Sequence, residues 1–568
     1  MGYIDLVKNE VQKLVPEVGN FSVEIPELVH GDLTTNICLV ASKVLKISPQ
    51  QVYEKIEKEL KNNLSGAVEK LEFVNPGFIN FYFKLEFVRE HLCFSERNNL
   101  GGDKVSSEKY DGKKVLVEFT SINLFKPFNI GHLMSNFTGE FISRSLESVG
   151  AKVVRISYPS DKSIGIAKAI WSIKKDGGLD QEIFTKSLGE VIKYLGQSYI
   201  TGVAEYKKFE ENKDEEKIQE VKSISNNIFG DIPGVDLDIF NYTKEKNIEY
   251  FQKFLEKMDS KFDGFIYESE AGIVGKEIVL ENIPGIFQES EGAIIYTPSE
   301  ERKDINTSVF INSEGNPTYL AKDIGLLDLK FKKYSPLDFS IYVVDNEQNQ
   351  HFKSVFDAGG KIKKEWEEKS VHVSHGRMTF KGKKMSSRLG GVPNAEEVID
   401  AVVEDVKERS GGKETDFEVA MSALRISILR SKPGVNIDFD PEKASSFEGD
   451  SGPYLCYTHA RCCSLLAKGD ELKLNLSPEN IKGEVSKIER KVLQFEYILK
   501  TSAEEIAPQK LVKYLFEVAG EFNSFYATEK IISDDVEKTE YNLYLTKLVE
   551  ETLEKGLHIL GIKAPDSM

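Results

Sequence analysis

The chain has 568 residues, of which 92 are acidic and 74 are basic, so its net charge is −18. This length exceeds that of a single small module, and 40% hydrophobic with 29% charged residues is typical of globular proteins with large cores. No run of residues is apolar enough to span a membrane. The five cysteines form no CxxC pair, which argues against a disulfide framework and a cysteine zinc site. The acidic excess, taken alone, disfavours nucleic-acid binding.

Residues 1–110 have the pattern of a small mixed domain. A helical period at 52–64 precedes a strand-like stretch at 72–83, where apolar and aromatic residues alternate. Gly101, Gly102 and the polar residues that follow are typical of a linker. We therefore expect an α+β domain that ends near residue 110.

Residues 111–393 alternate between strand and helix patterns. Strand patterns occupy 113–119, 152–158, 339–345 and 370–376, and helical patterns occupy 131–150 and 352–361. This alternation predicts an α/β core with a parallel sheet. Insertions are expected at about 173–300, where the charge-dense stretch 204–222 is typical of a solvated helix face.

From residue 394 the pattern changes to helices alone. Asn394 and Glu397 have the spacing of a helix capping box. The clearest amphipathic stretch that follows is 506–526. We therefore expect an all-α domain over 394–568.

The first candidate site is TSINLFKPFNIGH (120–132), a turn between a predicted strand and a predicted helix. Such a turn lies at the carboxyl end of a parallel sheet, and the helix that follows points its positive end at it. Gly131 allows close backbone approach to a ligand. His132 and Asn129 supply hydrogen-bond donors, and Lys126 supplies a positive charge. The turn therefore suits a phosphoryl group, although a helix cap with a buried histidine gives the same pattern.

The second candidate site is KGKKMSSRLGG (381–391), which is basic and rich in glycine and serine. A flexible basic loop can close over a polyphosphate and neutralise charge as a bond breaks. An exposed basic loop without that role has the same composition.

Taken together, the two segments resemble the signature sequences of class I aminoacyl-tRNA synthetases. Stretches 117–133, 315–324, 446–461 and 560–568 are similar to arginyl-tRNA synthetases in particular, and the resemblance covers nearly the whole chain. It implies a Rossmann-like catalytic domain at 111–393, preceded by a domain that contacts the tRNA elbow and followed by an anticodon-binding domain. It also implies arginine–tRNA ligase activity, in which ATP activates L-arginine and the 2′-hydroxyl of the terminal adenosine of tRNA(Arg) receives it.

The resemblance implies site residues position by position. The catalytic set is Lys126, Asn129, Gly131, His132 and Lys384. The ATP-binding set is Lys126, Asn129, Gly131, His132, His375, Gly376, Lys384, Met385, Ser386 and Ser387, with Mg²⁺ arriving on ATP and no dedicated protein metal site. Asn129 stands where the family usually has a histidine. Because asparagine donates a hydrogen bond but carries no charge, we expect reduced but real activity.

The planar guanidinium of arginine requires carboxylate partners. The residues implied for arginine binding are Glu118, Ser121, Asn123, His132, Tyr319, Asp323 and Gln348. Glu118 and Asp323 match two acidic pocket positions, although Glu118, taken alone, also fits a carboxylate paired with a nearby lysine. The stretch 343–352 departs from the family pattern except at Gln348, His351 and Phe352.

The C-terminal helices are implied to read a single-stranded RNA loop by stacking and base-edge hydrogen bonds. The residues implied are Tyr454, Tyr457, Arg461, Asn523, Tyr526 and Met568, and Tyr454 fits a plain core aromatic equally well. The net charge then no longer argues against tRNA, because binding needs only a local basic track. We expect that track between the 381–391 segment and the C-terminal helices.

Two other functions fit parts of the pattern. A non-catalytic RNA-binding or regulatory relative is suggested by Asn129 and the altered stretch 343–352. A small-molecule nucleotidyltransferase also carries such turns, but its chemistry does not need an all-α domain. We therefore expect a cytoplasmic, monomeric synthetase that binds ATP, L-arginine and tRNA(Arg) and does not associate with membranes.

Overall fold

The computed structural model describes residues 2–92, 107–179, 183–380, 394–474, 476 and 484–568. The predicted linker at Gly101 and Gly102 lies outside the described residues. So does most of the second candidate segment, with Lys384, Met385, Ser386 and Ser387. None of the helices in the described ranges combines the length and apolar character that a membrane crossing requires.

The N-terminal part packs helices against a four-stranded antiparallel sheet of order β1-β2-β4-β3. Its elements are α1 (Tyr3–Leu14), β1 (Val23–Glu24), β2 (Leu33–Thr35), α2 (Ile37–Leu45), α3 (Pro49–Asn63), β3 (Val68–Val74), β4 (Phe78–Phe83) and α4 (Leu85–Leu92). The single strand predicted at 72–83 is wrong, since β3 and β4 form an antiparallel hairpin there. Pro76 and Gly77 interrupt the alternation, and Gly77 takes a positive φ of 151° at the turn.

The central part is built on a five-stranded sheet of order β12-β11-β5-β6-β7, and every neighbouring pair in it is parallel. The strands are β5 (Lys114–Glu118), β6 (Lys152–Ser157), β7 (Gly264–Phe265), β11 (Phe339–Asp345) and β12 (Ser370–His375). The strand order reverses between β5 and β11, and ligands of α/β proteins bind at such a switch point. This is the Rossmann-like arrangement expected from the resemblance. The long helix α5 (Ile130–Ser148) follows β5 and is buried along most of its length.

A helical bundle lies between β6 and β7. Its helices are α6 (Ile164–Lys175), α7 (Leu188–Asn212), α8 (Glu215–Phe229) and α9 (Val235–Lys257). The charge-dense stretch 204–222 crosses α7 and α8, and only its apolar residues, such as Tyr206 and Val221, are buried. The prediction of a solvated helix face is therefore confirmed.

Further elements return the chain to the sheet. They are α10 (Glu268–Glu281), β8 (Phe287–Ser290), β9 (Ala293–Tyr296), β10 (Ser308–Ile311), α11 (Tyr319–Lys333), α12 (Asn349–Ile362) and α13 (Lys364–Glu368). Strands β8 to β10 form a separate antiparallel sheet. Helices α10 and α11 approach closely at Gly275 and Gly325, where an added Cβ would meet backbone atoms of the opposite helix within 2.0 Å. Glycine at these positions therefore sets the spacing of the two helices.

The C-terminal part is helical apart from one short strand. After β13 (Met378–Phe380) come α14 (Ala395–Ser410), α15 (Asp416–Leu429), β14 (Ile437–Phe439), α16 (Pro441–Ala444), α17 (Gly452–Glu471), α18 (Lys487–Leu493), α19 (Phe495–Glu504), α20 (Pro508–Thr528) and α21 (Val536–Ile559). The prediction of helices alone is wrong at β14, which pairs in parallel with β13. Three residues are too few for alternation to reveal a strand. The capping box of Asn394 and Glu397 is confirmed.

Two ion pairs join the N-terminal part to helix α18. The Arg89 guanidinium lies 2.8 Å from the Glu489 carboxylate, and both side chains are buried. Arg490 donates to the buried carboxylate of Asp32. The two ends of the chain are therefore in direct contact.

Candidate active site

The turn after β5 contains two residues with left-handed backbone, Thr120 at φ 54° and Phe125 at φ 65°. Residues other than glycine rarely adopt this region, and it persists where surrounding contacts impose it. The Thr120 N–H donates to Ser135 Oγ at 2.9 Å, and its carbonyl accepts from Ser157 Oγ at 3.0 Å. The turn is thus fixed by hydrogen bonds to α5 and to β6.

Asn129 and His132 form a reciprocal cap at the start of α5. The Asn129 side chain accepts the His132 N–H at 3.0 Å, and His132 Nδ1 accepts the Asn129 N–H at 3.0 Å. Burial, with repulsion from His375, lowers the pKa of His132 to about 4. His132 is therefore a neutral side chain at physiological pH, suited to hydrogen bonding. The structure therefore has the helix cap with a buried histidine that the sequence offered as an alternative. Lys126 and Gly131 of the same turn are exposed.

The end of β12 lies beside this cap. His375 is buried, and burial lowers its pKa. Gly376 has no room for a side chain, because a Cβ there would lie 2.0 Å from the Val435 carbonyl oxygen. The two ATP-binding positions predicted after β12 therefore adjoin the first signature turn.

Asn394, the first described residue after the gap at 381–393, is paired with Asn129 in an antiparallel bridge. The Ala395 N–H donates to the Phe128 carbonyl at 2.7 Å. These backbone contacts bring the start of α14, which follows the second signature segment in the chain, to the first signature turn.

Glu118 ends the central strand β5 and is fully buried against Lys330 of α11. The lysine Nζ donates to the carboxylate, and it lies 3.3 Å from the centroid of the Tyr342 ring. Burial raises the pKa of Glu118 and lowers the pKa of Lys330, while their mutual attraction opposes both shifts. The lysine partner that Glu118 alone suggested is present, and Glu118 carries no uncompensated charge.

Asp323 lies one turn after Tyr319 on α11, as its spacing predicts. Its partly buried carboxylate contacts His351 Nε2. Tyr319, by contrast, is 70% exposed, and Gln348 is exposed at the start of α12. The structure brings Glu118 and Asp323 close enough for the charge of one to affect the other, and we call the region around these two carboxylates the acidic crevice. Tyr319 and Gln348 are exposed at the protein surface.

Two further predicted residues link the two halves of the site. Ser121 contacts both the Glu118 carboxylate and, through its backbone, the His132 ring. Asn123 is bridged to Ser160 beyond β6. The residues predicted to bind arginine and those predicted to bind ATP therefore meet at the turn.

Three residues of this crevice were not predicted from the sequence as part of the site. Lys330 pairs with Glu118, and His351 Nε2 contacts the Asp323 carboxylate. Tyr158 is the third, and its buried hydroxyl has no hydrogen-bond partner among the described residues. Carboxylates surround that hydroxyl, and burial together with those carboxylates, Asp323 foremost, raises the pKa of Tyr158. The available signal was a tyrosine at the carboxyl end of a parallel strand.

The predicted RNA-binding residues of α17 and α20 are brought together. The Arg461 guanidinium lies between the rings of Tyr457 and Tyr526, 4.8 and 4.6 Å from their centroids. Both rings are about two-fifths exposed. Asn523 accepts from Arg461 and donates to Tyr454 Oη at 2.9 Å. This cluster offers exposed π faces next to a fixed cation, which suits stacked bases.

Met568 is partly buried and packs against the hydrophobic core. The tail is held by His459, whose Nδ1 donates to the Pro565 carbonyl at 3.1 Å. His459 Nε2 lies 3.5 Å from Glu550. Cys463 Sγ is 3.7 Å from both ring nitrogens, and the ligand atoms of His459, Cys463 and Asp566 lie within 4.8 Å of one another. Both ring nitrogens already have an oxygen partner, on Pro565 and on Glu550.

Replacing His459 by glutamine is expected to change the pH dependence of stability. Burial lowers the pKa of His459, but contacts with Cys463 and Glu550 outweigh it and raise the pKa from 6.5 to about 10. The stabilisation is then fully present below pH 6.5 and is lost as the pH rises toward about 10. In thermal unfolding, His459→Gln should be less stable than the unchanged protein at pH 6, and this difference in stability should disappear near pH 10. A loss of stability that does not change with pH would contradict a charged His459. Introducing Cys463→Ser into both the unchanged protein and His459→Gln controls for ionisation of the thiol.

Comparisons with known proteins match the chain along its length. The family model described as "tRNA synthetases class I (R), catalytic domain" matches residues 97–423. "Arginyl tRNA synthetase N terminal domain" matches 2–83, and "DALR anticodon binding domain" matches 455–568. The arginine–tRNA ligase of Borreliella burgdorferi is 28% identical over 98% of each chain. That of Ligilactobacillus salivarius is 28% identical over 93% of this chain and 92% of its own.

Solved structures show the same fold. An arginyl-tRNA synthetase from Thermus thermophilus superposes with a TM-score of 0.78 and 22% identity, covering 100% of both chains. An arginyl-tRNA synthetase from Plasmodium falciparum superposes with a TM-score of 0.74 and 20% identity, covering 100% of this chain and 98% of that chain. Because these two structures are only 22% and 20% identical to the chain, they support its fold alone. Its family membership rests on the matching family models and the sequence relatives.

Proposed function

The chain belongs to the class I arginyl-tRNA synthetases, and from this membership we propose how its residues join L-arginine to tRNA(Arg) at the expense of ATP. The observation that carries the proposal is that two groups of residues lie together at the β5–β11 switch point. The first is the buried Glu118 with Asp323 and Tyr158, and the second is the cap of Asn129 and His132 at the start of α5.

We propose that ATP binds at the N-terminus of α5. The helix dipole, the neutral His132 and the Asn129 amide favour the phosphates, and Lys126 supplies positive charge. His375 and Gly376 would lie along the adenine. Magnesium would arrive with ATP and neutralise the phosphates. Lys384 and the neighbouring Met385, Ser386 and Ser387 would contact the pyrophosphate.

For arginine we propose that Asp323 receives the guanidinium and that Glu118, Ser121 and Asn123 face its α-amino and carboxylate end. Asp323 is the carboxylate with an exchangeable partner, because His351 is only partly buried, whereas Lys330 is fully buried on Glu118. The exposed Tyr319 and Gln348 would cover arginine from the solvent side. Attack of the arginine carboxylate on the α-phosphate then needs positioning and charge neutralisation, and no protein nucleophile.

We propose further that tRNA(Arg) contacts both ends of the chain. The cluster of Tyr454, Tyr457, Arg461, Asn523 and Tyr526 would stack anticodon-loop bases, with Met568 nearby in the bound state. The division into an N-terminal domain at 1–110, a catalytic domain at 111–393 and an anticodon-binding domain at 394–568 is part of this proposal. We also propose that the protein is monomeric and acts in the cytoplasm, where translation consumes its product.

ATP–pyrophosphate exchange tests the proposed activity. We expect exchange that depends on arginine, measured with and without tRNA(Arg), followed by charging of the tRNA. A protein that binds tRNA but shows no exchange under either condition would instead be the non-catalytic relative. Exchange stimulated by another amino acid would contradict the assignment of the pocket.

Replacing Asn129 by histidine tests the departure from the family signature. The asparagine is already a good helix cap and a hydrogen-bond donor, and a poorer cap costs about 1 kcal/mol. We therefore expect adenylate formation to rise by no more than about tenfold, because the gain is one charge-assisted hydrogen bond. Asn129→Ala, which removes both cap and donor, is the matched control and should lower the rate. A rise of several orders of magnitude in the histidine variant would mean that the natural site is severely impaired.

A further inference from the structure

Helix α9 of the inserted bundle lies against the first signature turn along one face. Lys244 Nζ contacts the Asp161 carboxylate at 3.0 Å, and Asn247 Oδ1 accepts the Phe125 N–H at 3.1 Å. One and two turns further on, Phe251 and Phe254 pack on Phe128, with ring centroids 6.0 and 4.4 Å apart. Residues at this spacing occupy a single stripe of a helix. Asn247, Phe251 and Phe254 therefore face the turn between β5 and α5, while Lys244 contacts Asp161 in the neighbouring turn after β6.

Asn247 is the polar centre of that stripe. Its side chain is buried, and its Nδ2 donates to the Thr243 carbonyl at 2.7 Å. This second hydrogen bond fixes the orientation of the amide, so that the oxygen points at the Phe125 N–H. Phe125 is one of the two left-handed residues of the turn, and it is held there by a residue 122 positions later in the chain. Without Asn247 the buried N–H would lose its partner.

The next residue of the turn contacts the same bundle. Lys126 Nζ lies 5.2 Å from the centroid of the Tyr199 ring, on α7. Two consecutive residues, one through its backbone and one through its side chain, are thus held by the insertion.

We propose that Asn247 is a positioning residue for ATP, which fixes the left-handed turn at Phe125 and thereby directs Lys126 and Asn129 at the phosphates. This inference rests on the proposed function, because it takes those two residues as ATP-binding. It gives the inserted helices, whose role the sequence analysis left open, a part in the first step of the reaction.

The test uses the full-length protein with Asn247→Leu, which keeps the volume and removes the amide. Asn241→Leu is the matched control, since Asn241 lies on the same helix and is exposed. Asn247→Asp keeps the acceptor for the Phe125 N–H but loses the donor to the Thr243 carbonyl, so it serves as a partial rescue. In pyrophosphate exchange we expect kcat/KM for ATP to fall about a hundredfold in Asn247→Leu, as misplaced reacting groups do. KM for arginine should stay within about threefold, and Asn247→Asp should recover about tenfold.

Two results would overturn the inference. One is an Asn247→Leu variant that matches Asn241→Leu in kcat/KM for ATP. The other is an equal loss for ATP and arginine with no recovery in Asn247→Asp, which would indicate a role in folding alone. If the natural protein shows no exchange, the proposed function fails by itself. ATP binding measured by calorimetry then decides the inference, with weaker binding in Asn247→Leu supporting it and equal binding overturning it.

Discussion

Lys330→Met is expected to destabilise the catalytic part by about 3–5 kcal/mol, the usual cost of leaving a buried charge without its partner. Lys330 and Glu118 are both fully buried and bonded to each other at the centre of the sheet. Burial already raises the pKa of Glu118, and loss of the lysine would raise it further. A carboxyl group with a raised pKa in the folded state favours folding at low pH. The loss of stability in Lys330→Met should therefore become smaller as the pH falls and larger as the pH rises through the neutral range.

The double variant Glu118→Gln/Lys330→Met is the control for charge. It removes both members of the pair and should recover most of the lost stability, while arginine activation stays low because Glu118 is absent. Trp366 is fully buried in the same hydrophobic core as Tyr342, which contacts Lys330, and it is one of two tryptophans in the chain. With Trp171→Phe as the background, tryptophan fluorescence during thermal unfolding reports on this region alone. If Lys330→Met were as stable as the Trp171→Phe protein, Glu118 and Lys330 would not form a charged pair.

Asp323→Asn is expected to lower kcat/KM for arginine about thousandfold, equivalent to roughly 4 kcal/mol. The amide keeps the size of the carboxylate but cannot supply the charge that a guanidinium requires. KM for ATP should change little, since the phosphate-binding turn is separate from α11. Exchange assays at saturating ATP, with arginine varied, measure the effect.

Asp328→Asn is the matched control for this substitution. Asp328 lies on the same helix and is buried, but it pairs with Lys332 and Lys363 outside the crevice. We expect its arginine kinetics to match those of the unchanged protein. A loss of less than about tenfold in Asp323→Asn would place the guanidinium elsewhere in the acidic crevice.

The sequence was sufficient to predict the parallel core, because uninterrupted apolar strands and an amphipathic helix leave few alternatives. It also predicted the clustering of Tyr457, Arg461 and Tyr526, through the resemblance. It did not predict Lys330 or Asn247, because each acts through a partner more than a hundred residues away. Local periodicity carries no information about such pairs. The roles of the predicted site residues stay predictions until substrates are bound.

The contact between Arg89 and Glu489 spans 400 positions of the chain. A ribosome adds about 5–20 residues per second, so roughly 20–80 s pass between synthesis of the first partner and the second. During that interval the newly made N-terminal part has neither Glu489 nor Arg490 to pair with Arg89 and Asp32. It must hold its own hairpin and helices without them. Helix α18, made long after the N-terminal part, therefore completes the ion pairing of that part.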